Sequence, residues 1–570
     1  MKKKNQSLIQ LGLFAGVLLF INILGNTYYN YYDLTEDKRF TLTDASVDLM
    51  DNLKEEVYVK VLLKGEFGSG FKRLQKSVKE LLDDYRSVST SLKYDFVNPL
   101  LGSVEEVNAR KELYAKSGIL PVNLREQTSD SKREQLTYPY ALIFYQGRET
   151  AVNLLENNIP GQNPEIVINN SISLLEYKIT AAIKKLRTIT KPVVLYTTGH
   201  GEISPIQTAD LDAELLKTYD INRINLDSVY QINPEVDVLI IAKPVQPFTD
   251  KQNFIVDQYV MNGGRVLWLL DKVNASLDSM QMTGMQVPLP MELNLENMLF
   301  KYGARVQPNL VMDLECTPIP LQTGVLGGKP QYELFPWYYF PRVASRSNHP
   351  VVKSIDRVNL FFANRIDTIE TRKGNIHKEI LLATSDYSRY QRVPTQLTFE
   401  ILRDKPNPSL FNKPHLPVAV LMEGVFPSEF ENRVTESMLG GLKELNIEFK
   451  TLSQPTRMIV VADGDIATNR YDRQTQKPLP LGLNPFDKYQ YSNKQFLMNC
   501  IDYLYDDKGV IEARGKDVKL RLLNSVKAKK EKTYWQFFNI ILPILLLAIF
   551  GFLYNWVRRR RYGSHTFTKL

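Results

Sequence analysis

Residues 191–202 read KPVVLYTTGHGE, an apolar stretch followed directly by a turn with two glycines, a histidine and a glutamate. Two more apolar stretches follow it, VDVLIIA at 236–242 and RVLWLL at 265–270. Apolar residues at helical spacing separate the three stretches, at 211–217 and 254–261. Buried strands joined by helical crossovers are typical of a doubly wound parallel sheet, so the sequence predicts an α/β fold.

The same alternation resumes beyond residue 410, with predicted strands at 418–422 and 458–462 and a predicted helix at 494–505. Between about 275 and 410 the pattern is irregular and rich in proline and aromatic residues. We predict one α/β domain over 191–510, with a β-rich insertion at about 275–410. The aromatic run in the insertion has two interpretations, a packed strand or a docking surface; its residues are Trp337, Tyr338, Tyr339 and Phe340.

A smaller α/β domain is predicted before it, over 27–190. Strand-like and helix-like patterns alternate along this segment, which predicts a thioredoxin-like domain. The strands are predicted at 57–63, 92–97 and 140–145, and the helices at 71–85, 104–117 and 171–186. Ser173 and Glu176 have the spacing of a capping box near the start of the last helix.

Long apolar runs near both ends predict two transmembrane helices that flank these domains. LIQLGLFAGVLLFINIL occupies 8–24 and FFNIILPILLLAIFGFLYNWV occupies 537–557, and a bilayer core is about 30 Å thick. The alternatives are a cleaved signal peptide for the first run and a buried core helix for the second. The predicted organisation is an anchor at 1–26, a juxtamembrane segment at 511–536, a second span at 537–557 and a basic tail at 558–570.

Positive charge is concentrated at the two ends. The chain has a formal net charge of +8, and Lys2, Lys3, Lys4, the four arginines at 558–561 and Lys569 supply as many positive charges. The remaining body is neutral, so no nucleic-acid partner is predicted. The positive-inside rule places both termini in the cytoplasm and the body in the periplasm, at the inner membrane of a bacterium. The chain has only 2 cysteines, too few for a disulfide framework.

Small residues on the two predicted spans indicate a contact with other membrane helices. Gly12 and Gly16 have small-xxx-small spacing in the first span, and Pro543 and Gly551 lie in the second. We predict these four residues at a membrane-helix interface, with exposure to lipid as the alternative.

The strongest candidate for a ligand site is the GHGE turn. It follows the first strand of the larger domain, at the sheet edge where open α/β sheets bind ligands. His200 would serve there as a base, or as a metal ligand together with Glu202. Asp463 and Asp465 follow another strand and would converge on the same edge. The alternative is structural, with tight glycine turns, helix caps and Asx-turns.

Several kinds of catalytic motif are absent from the sequence. There is no P-loop, GxGxxG, HExxH or GxSxG pattern. Cys500 lies on an apolar helix face and Cys316 lies in LECTPIP, so neither has the place of a nucleophile after a strand. We predict no catalytic residue, no metal and no cofactor, and no ATP hydrolysis by this chain alone.

The order of motifs resembles a known family. DLTEDKRFTLT, SISLLEYKITAAIKKL, TTGHGE, PVAVLMEGVFPSEF, MIVVADGDIATN and EARGKDVKLRLLN follow a short anchor and precede a last span that ends in arginines. This arrangement resembles the GldG family, components of an ABC transporter system associated with gliding motility in Bacteroidetes-type bacteria. The resemblance implies a GldA-like ATPase, a GldF-like multi-span subunit, and a periplasmic domain related to degenerate glutamine-amidotransferase folds.

Two other classes of function remain open. One is a periplasmic hydrolase or amidotransferase-like enzyme that uses His200 and Glu202. The other is a structural scaffold of a gliding or secretion machinery that performs no transport.

Overall fold

The computed structural model describes residues 12–22, 41–515 and 530–562, except for 66, 129–130, 157–163, 189, 346, 354, 372, 446, 473–474, 476 and 507–508. The chain divides into two compact units, Met1–Val518 and Lys519–Leu570. The first unit contains the mixed α/β body, and the second contains one long helix.

The smaller α/β domain is a four-stranded sheet covered by helices. After α1 (Gly12–Asn22), its elements are α2 (Asp44–Asp51), β1 (Val57–Val61), α3 (Ser69–Val88), β2 (Leu92–Phe96), α4 (Val104–Lys116), β3 (Val122–Thr128), β4 (Ser131–Thr137), β5 (Tyr140–Tyr145), β6 (Arg148–Asn153), α5 (Pro164–Ser173) and α6 (Leu175–Arg187). The strand order is β2-β1-β5-β6, with β1 parallel to β2 and antiparallel to β5. β3 and β4 form a separate hairpin.

Helix α3 shows why this segment folds as it does. Its side chains Leu74, Val78, Leu82 and Tyr85 are fully buried, and their spacing of three or four residues puts them on one helix face. That face packs in the same core cluster as Val57, Val59 and Val61 of β1. The alternation that the sequence predicts for this domain is therefore present, with bounds shifted by a few residues.

The predicted capping box of Ser173 and Glu176 is wrong. The helical segment breaks at Leu174 into α5 and α6, and the Ser173 hydroxyl donates to the Asn170 carbonyl. The Glu176 carboxylate accepts hydrogen bonds from the backbone N–H and the hydroxyl of Thr43, at 2.7 and 2.8 Å. Glu176 therefore pairs with Thr43 and not with Ser173, because Thr43 is the N-cap of α2, which packs beside α6.

The larger domain begins with parallel strands and their helices. Its first elements are β7 (Val193–Thr198), α7 (Ala209–Leu215), β8 (Asp220–Asn225), β9 (Val236–Ala242), α8 (Asp250–Met261), β10 (Val266–Leu269), α9 (Leu277–Thr283), β11 (Met285–Gln286), α10 (Glu296–Tyr302), β12 (Ala304–Val306) and β13 (Asn309–Asp313). The later ones are β14 (Cys316–Leu326), β15 (Lys329–Ser345), β16 (Val358–Asn359), β17 (Ile366–Thr368), β18 (Ile376–Ala383), β19 (Ser388–Arg392), β20 (Leu397–Thr398), β21 (Pro417–Gly424), α11 (Glu436–Glu444), β22 (Thr456–Val461) and α12 (Asn493–Tyr505).

One large sheet organises this domain, in the order β14-β15-β18-β21-β22-β10-β9-β7-β8. The strands from β22 to β8 are parallel to their neighbours. β9 shows why the strand sequences are almost continuously apolar: Val238 and Ile240 pack on one side of the sheet, and Leu239 and Ile241 pack on the other. α12 covers the first side and α8 covers the second.

The prediction of a parallel sheet holds for five of these nine strands, β22, β10, β9, β7 and β8. β21 pairs antiparallel with β22, and β18 and β15 continue the antiparallel half. Three strands of the insertion, β14, β15 and β18, therefore extend the main sheet, and other strands of the insertion pair in separate two-stranded sheets. The aromatic residues at 337–340 are buried in a core cluster with Phe362 and Phe411, which rules them out as an exposed docking surface.

The second unit contains α13 (Lys532–Tyr562), which includes the predicted span. Within its segment Lys532–Arg560, an 18-residue stretch has a mean hydropathy of 2.4. Among the described residues, this is the one helix long and apolar enough to cross a membrane. α1 is apolar but shorter than such a span, and the rest of the predicted first span lies outside the described residues. The first span therefore stays a prediction.

Candidate functional site

The parallel strands of the larger sheet end at one edge, and four of them are followed there by a polar side chain. Lys243 follows β9, Asp271 comes two residues after β10, and Asp463 comes two residues after β22. His200 comes two residues after β7. The strand ends thus place all the predicted site residues, His200, Glu202, Asp463 and Asp465, at this edge.

His200 and Glu202 form a closed pair within the turn. The Nδ1 atom of His200 lies 3.0 Å from Oε1 of Glu202, and the backbone N–H of His200 donates to Oε2 at 2.7 Å. The imidazole ring stacks on Phe248, with ring centroids 3.7 Å apart. The two side chains are only 3% and 2% exposed. A solvent-borne substrate has no access to this pair, which favours the structural interpretation of the GHGE turn.

The backbone of the turn requires glycine. Gly201 has φ +75°, and a Cβ there would lie 2.4 Å from Cγ2 of Val245. The carbonyl of His200 accepts the backbone N–H groups of Val245 and Gln246, which ties the turn to the segment after β9. The glycines of GHGE therefore serve close packing between two strand ends.

Both groups of the pair are stabilised in their charged forms. Burial lowers the pKa of His200, but hydrogen bonds to Glu202 and Gln252 and the charge of Glu202 outweigh it, and the pKa rises above 6.5. Burial raises the pKa of Glu202, but its hydrogen bonds with the His200 side chain and with nearby backbone N–H groups outweigh burial and lower it.

A second cluster at the same edge contains three carboxyl groups and a lysine. Asp463 accepts the backbone N–H of Phe361 at 2.6 Å and that of Asp465 at 2.8 Å. Asp271 accepts the N–H of Gly464 at 2.7 Å. The Nζ atom of Lys243 contacts Oδ1 of Asp465 and lies 3.9 Å from Oδ2 of Asp271.

Burial dominates the protonation of this cluster. It raises the pKa of Asp271 to about 7, with a further rise from the charge of Asp465 and an opposing effect from Lys243. Burial, followed by the charges of Asp271 and Asp465, also raises the pKa of Asp463. Asp463 and Asp465 were predicted from the sequence as site residues, whereas Lys243 and Asp271 were not. Their position just after predicted strands, as in LIIAK and LWLLD, is the signal that would have identified them.

The two clusters remain separate. Across the described residues, no hydrogen bond or ion pair joins His200 or Glu202 to Asp463 or Asp465. Within the same part of the chain, no group of three or more histidine, cysteine, aspartate or glutamate side chains is arranged to hold a metal ion. Both cysteines are buried, and burial raises the pKa of the Cys316 thiol to about 12. The arrangement contains buried, hydrogen-bonded carboxylates but no exposed nucleophile.

The predicted membrane-interface residues make few contacts of their own. A Cβ built on Gly12, Gly16 or Gly551 would meet no heavy atom within 4 Å. Pro543 lies inside α13 without ending it. These positions thus leave free surface on apolar helices.

Comparison with solved structures gives only distant likenesses. The N-terminal domain of mmIFT52 is 12% identical, with 55% of this chain and 96% of that chain covered and a TM-score of 0.29. A ThuA-like protein from Parabacteroides merdae is 11% identical, with 57% and 91% covered and a TM-score of 0.25. The exo-β-1,4-mannosidase Op5Man5 from an Opitutaceae bacterium is 13% identical, with 51% and 35% covered and a TM-score of 0.19.

Comparison with sequence families is more informative. No curated protein matches the chain. Residues 36–144 match a domain of unknown function, DUF7088. Residues 191–500, which include the large sheet and most of α12, match a family described as "ABC-type uncharacterized transport system". Because this match spans more than half of the 570 residues, the chain belongs to that family of ABC-type transport system proteins.

Proposed function

We propose that the chain is a non-catalytic, membrane-anchored subunit of an ABC transporter complex of the GldG type, associated with gliding motility. The observation that carries the proposal is the family match over 191–500, in a chain that continues into the apolar helix α13. A body of this family and a helix able to cross a bilayer together fit a subunit held at the membrane.

Two partners are required, because the sequence contains no nucleotide-binding motif and few apolar spans. It contains no nucleotide-binding motif, so transport driven by ATP requires a separate ATPase, which we propose to be GldA-like. One or two spans do not enclose a pathway through the bilayer, so a multi-span, GldF-like subunit is also required.

For the topology, we propose two spans in the bacterial inner membrane, with both termini in the cytoplasm and the body in the periplasm. The clustered terminal lysines and arginines support it. Single cysteines at Ser7 and Ser564 test it, because the native Cys316 and Cys500 are buried and react slowly. In intact cells, a membrane-impermeant maleimide should leave both sites unlabelled, and labelling of either one contradicts this topology.

The strand orders support the finer fold assignments. In the first domain, β1, α3 and β2 form a parallel unit, and the hairpin β5–β6 adds to it, an arrangement that suits a thioredoxin-like domain. In the second domain, five parallel strands with helices on both sides suit a glutamine-amidotransferase-like sheet that lacks the nucleophile.

Purification from native membranes in mild detergent tests the functional proposal. We expect an ABC ATPase and a multi-span subunit to co-purify with the chain. Gly551→Leu should weaken this association, because it places a bulky side chain where α13 offers small or polar surface at Pro543, Gly551 and Asn555. Leu553→Phe is the matched control, since two residues along a helix turn the side chain by about 200°.

The outcomes separate the alternatives. Co-purification of envelope proteins without any ATPase supports the structural scaffold. Recovery of the chain without any membrane partner refutes the proposed function. If Gly551→Leu and the pair Gly12→Leu with Gly16→Leu both leave the complex intact, the periplasmic body holds the partners and the proposed membrane-helix interface is wrong.

A further inference from the structure

A cleft of about 880 Å³ lies where the two α/β domains meet. One wall comes from β6 and α6 of the smaller domain, and the other comes from α12 and the segment around Val510. Lys191 and Pro192, just before β7, also line it, so the cleft lies at the opposite end of the parallel strands from His200 and Asp463. Its volume is within the usual range of ligand pockets, roughly 300–1,000 Å³.

Partly buried hydrogen bonds and an ion pair hold the two walls together. Asp502 on α12 accepts from the hydroxyl of Tyr177 on α6 at 3.0 Å and from that of Tyr219 at 2.5 Å. Lys184 on α6 forms an ion pair with Asp506 at 2.7 Å. A cleft with walls fixed in this way loses little further freedom when a ligand binds.

Ion pairs with lysines neutralise two of the acids that line the cleft. Asp502 and Asp506 have partners, and Glu156 forms an ion pair with Lys178 at 2.6 Å. Asp506 and Glu156 are therefore neutralised by lysines and Asp502 accepts two tyrosine hydroxyls, while Glu149 lines the cleft from an exposed strand position.

Three further lysines line the cleft and lie close to one another: Lys185, Lys191 and Lys217. Lys191 donates to the Leu216 carbonyl and Lys217 forms an ion pair with Glu214. Lys185 has no hydrogen bond or ion pair with any residue that the structure describes. Burial, followed by repulsion from the charges of Lys191 and Lys217, lowers the pKa of Lys185, and the charges of Glu214 and Asp502 only partly oppose this. An anion placed among the three lysines would relieve that repulsion.

Apolar side chains form another part of the lining, beside polar residues such as Thr150 and Asn153. The apolar part includes Ala151, Ala182, Leu186, Met498 and Ile511, together with the ring of Tyr505. A ligand that fits both parts has an anionic group and an apolar body.

We propose that this cleft binds an apolar anion, with a phosphate or carboxylate group at Lys185, Lys191 and Lys217 and an apolar part against α12. The site is separate from the proposed membrane contacts and does not depend on the proposed function. Such a ligand is either a soluble molecule or a lipid headgroup with part of its chain, since the chemistry of recognition is the same.

The test uses the full chain in nanodiscs of phosphatidylcholine, which has no net charge, and 2-naphthyl phosphate as the probe in calorimetric titrations. We expect 2-naphthyl phosphate to bind at least about tenfold more tightly than 2-naphthol or inorganic phosphate. Nanodiscs that also contain phosphatidylglycerol distinguish the two sources: weaker probe binding in them indicates a lipid ligand, and unchanged binding indicates a soluble one.

Two variants locate the binding. Lys185→Gln with Lys217→Gln should weaken the probe at least about tenfold, and the control, Lys79→Gln with Lys443→Gln, replaces exposed lysines elsewhere and should not. Ala151→Trp fills the cleft from an exposed strand position, so it should abolish binding without unfolding the domain. Equal binding of the three compounds, or undiminished binding to both the lysine variant and Ala151→Trp, overturns the proposal.

Discussion

Replacement of Asp271 by asparagine should stabilise the protein at alkaline pH and leave it unchanged in acid. Burial raises the pKa of this carboxyl from 3.8 to about 7 in the folded chain. Between these values the folded protein keeps a proton on Asp271 that the unfolded chain releases. The free energy of unfolding therefore falls as the pH rises through this window, and none of the loss occurs below it.

The magnitude follows from the size of the shift. One pKa unit corresponds to about 1.4 kcal/mol, so a rise from 3.8 to about 7 corresponds to at most about 4 kcal/mol. Asparagine keeps an oxygen that accepts the Gly464 N–H, now at 2.7 Å, and it does not titrate. What it loses is the attraction to Lys243, whose Nζ lies 3.9 Å away and also contacts Asp465.

Urea unfolding of the detergent-solubilised full chain measures the effect, with fluorescence of Trp268 on β10 as a nearby signal. The free energy of unfolding of Asp271→Asn should equal that of the unmodified protein at pH 4. It should exceed it increasingly up to pH 8, by up to about 4 kcal/mol. Asp404→Asn is the matched control, because it makes the same change at an exposed position. A difference of the opposite sign, with Asp271→Asn increasingly less stable as the pH rises, would show that ionised Asp271 paired with Lys243 stabilises the fold, and the reasoning from burial would be wrong.

Three other changes have expected results. Glu202→Gln should cost more stability at pH 5.5 than at pH 8.5, because the raised pKa of His200 and the lowered pKa of Glu202 confine the charged pair to the window between them; a cost independent of pH in urea unfolding contradicts this. His200→Ala should weaken stability by about 1 kcal/mol and leave co-purification of the partners intact, whereas loss of transport or motility at normal protein level and partner binding would support the enzyme alternative. Tyr219→Phe removes the 2.5 Å hydrogen bond to the half-buried Asp502 and should cost about 1–3 kcal/mol in urea unfolding, and an unchanged free energy of unfolding contradicts this. The neutral body should not shift duplex DNA in a gel at low salt, and binding that weakens as salt is added would contradict the charge argument.

The sequence was a good guide to the strands that are buried on both sides. VDVLIIA and RVLWLL are strands because each successive side chain packs against a helix layer, so no polar position interrupts them. The direction of each strand within the sheet was harder to predict. Strand β21 has an apolar stretch like those of the parallel strands β9 and β10, yet it runs antiparallel to β22. Strand direction is set by how the insertion returns the chain to the sheet, and the apolar pattern of one strand does not record it.

Polar positions were predictable only where local sequence determines them. Asp463 and Asp465 stand out because they follow a strand within a few residues. Glu176 was assigned a local cap, but its partner is Thr43, 133 residues earlier. A carboxylate near a helix start takes the nearest donor in space, and the packing of α2 on α6 supplies one that the spacing of Ser173 and Glu176 does not show.

In this protein, the open cleft lies at the amino ends of the parallel strands and not at their carboxyl ends. Ligands generally bind at the carboxyl ends of the strands, but here His200, Glu202 and Asp463 at that end are buried and bonded to neighbouring protein groups. At the other end, the junction with the smaller domain leaves an open cleft in which Lys185 has like charges as neighbours. The carboxylates of Glu202 and Asp463 already accept hydrogen bonds and gain little from a ligand. The ammonium group of Lys185 makes no hydrogen bond or ion pair with a described residue, so it gains a counter-ion. Ligand binding by this body is therefore expected at the domain junction, which exists only because the two α/β domains occur in one chain.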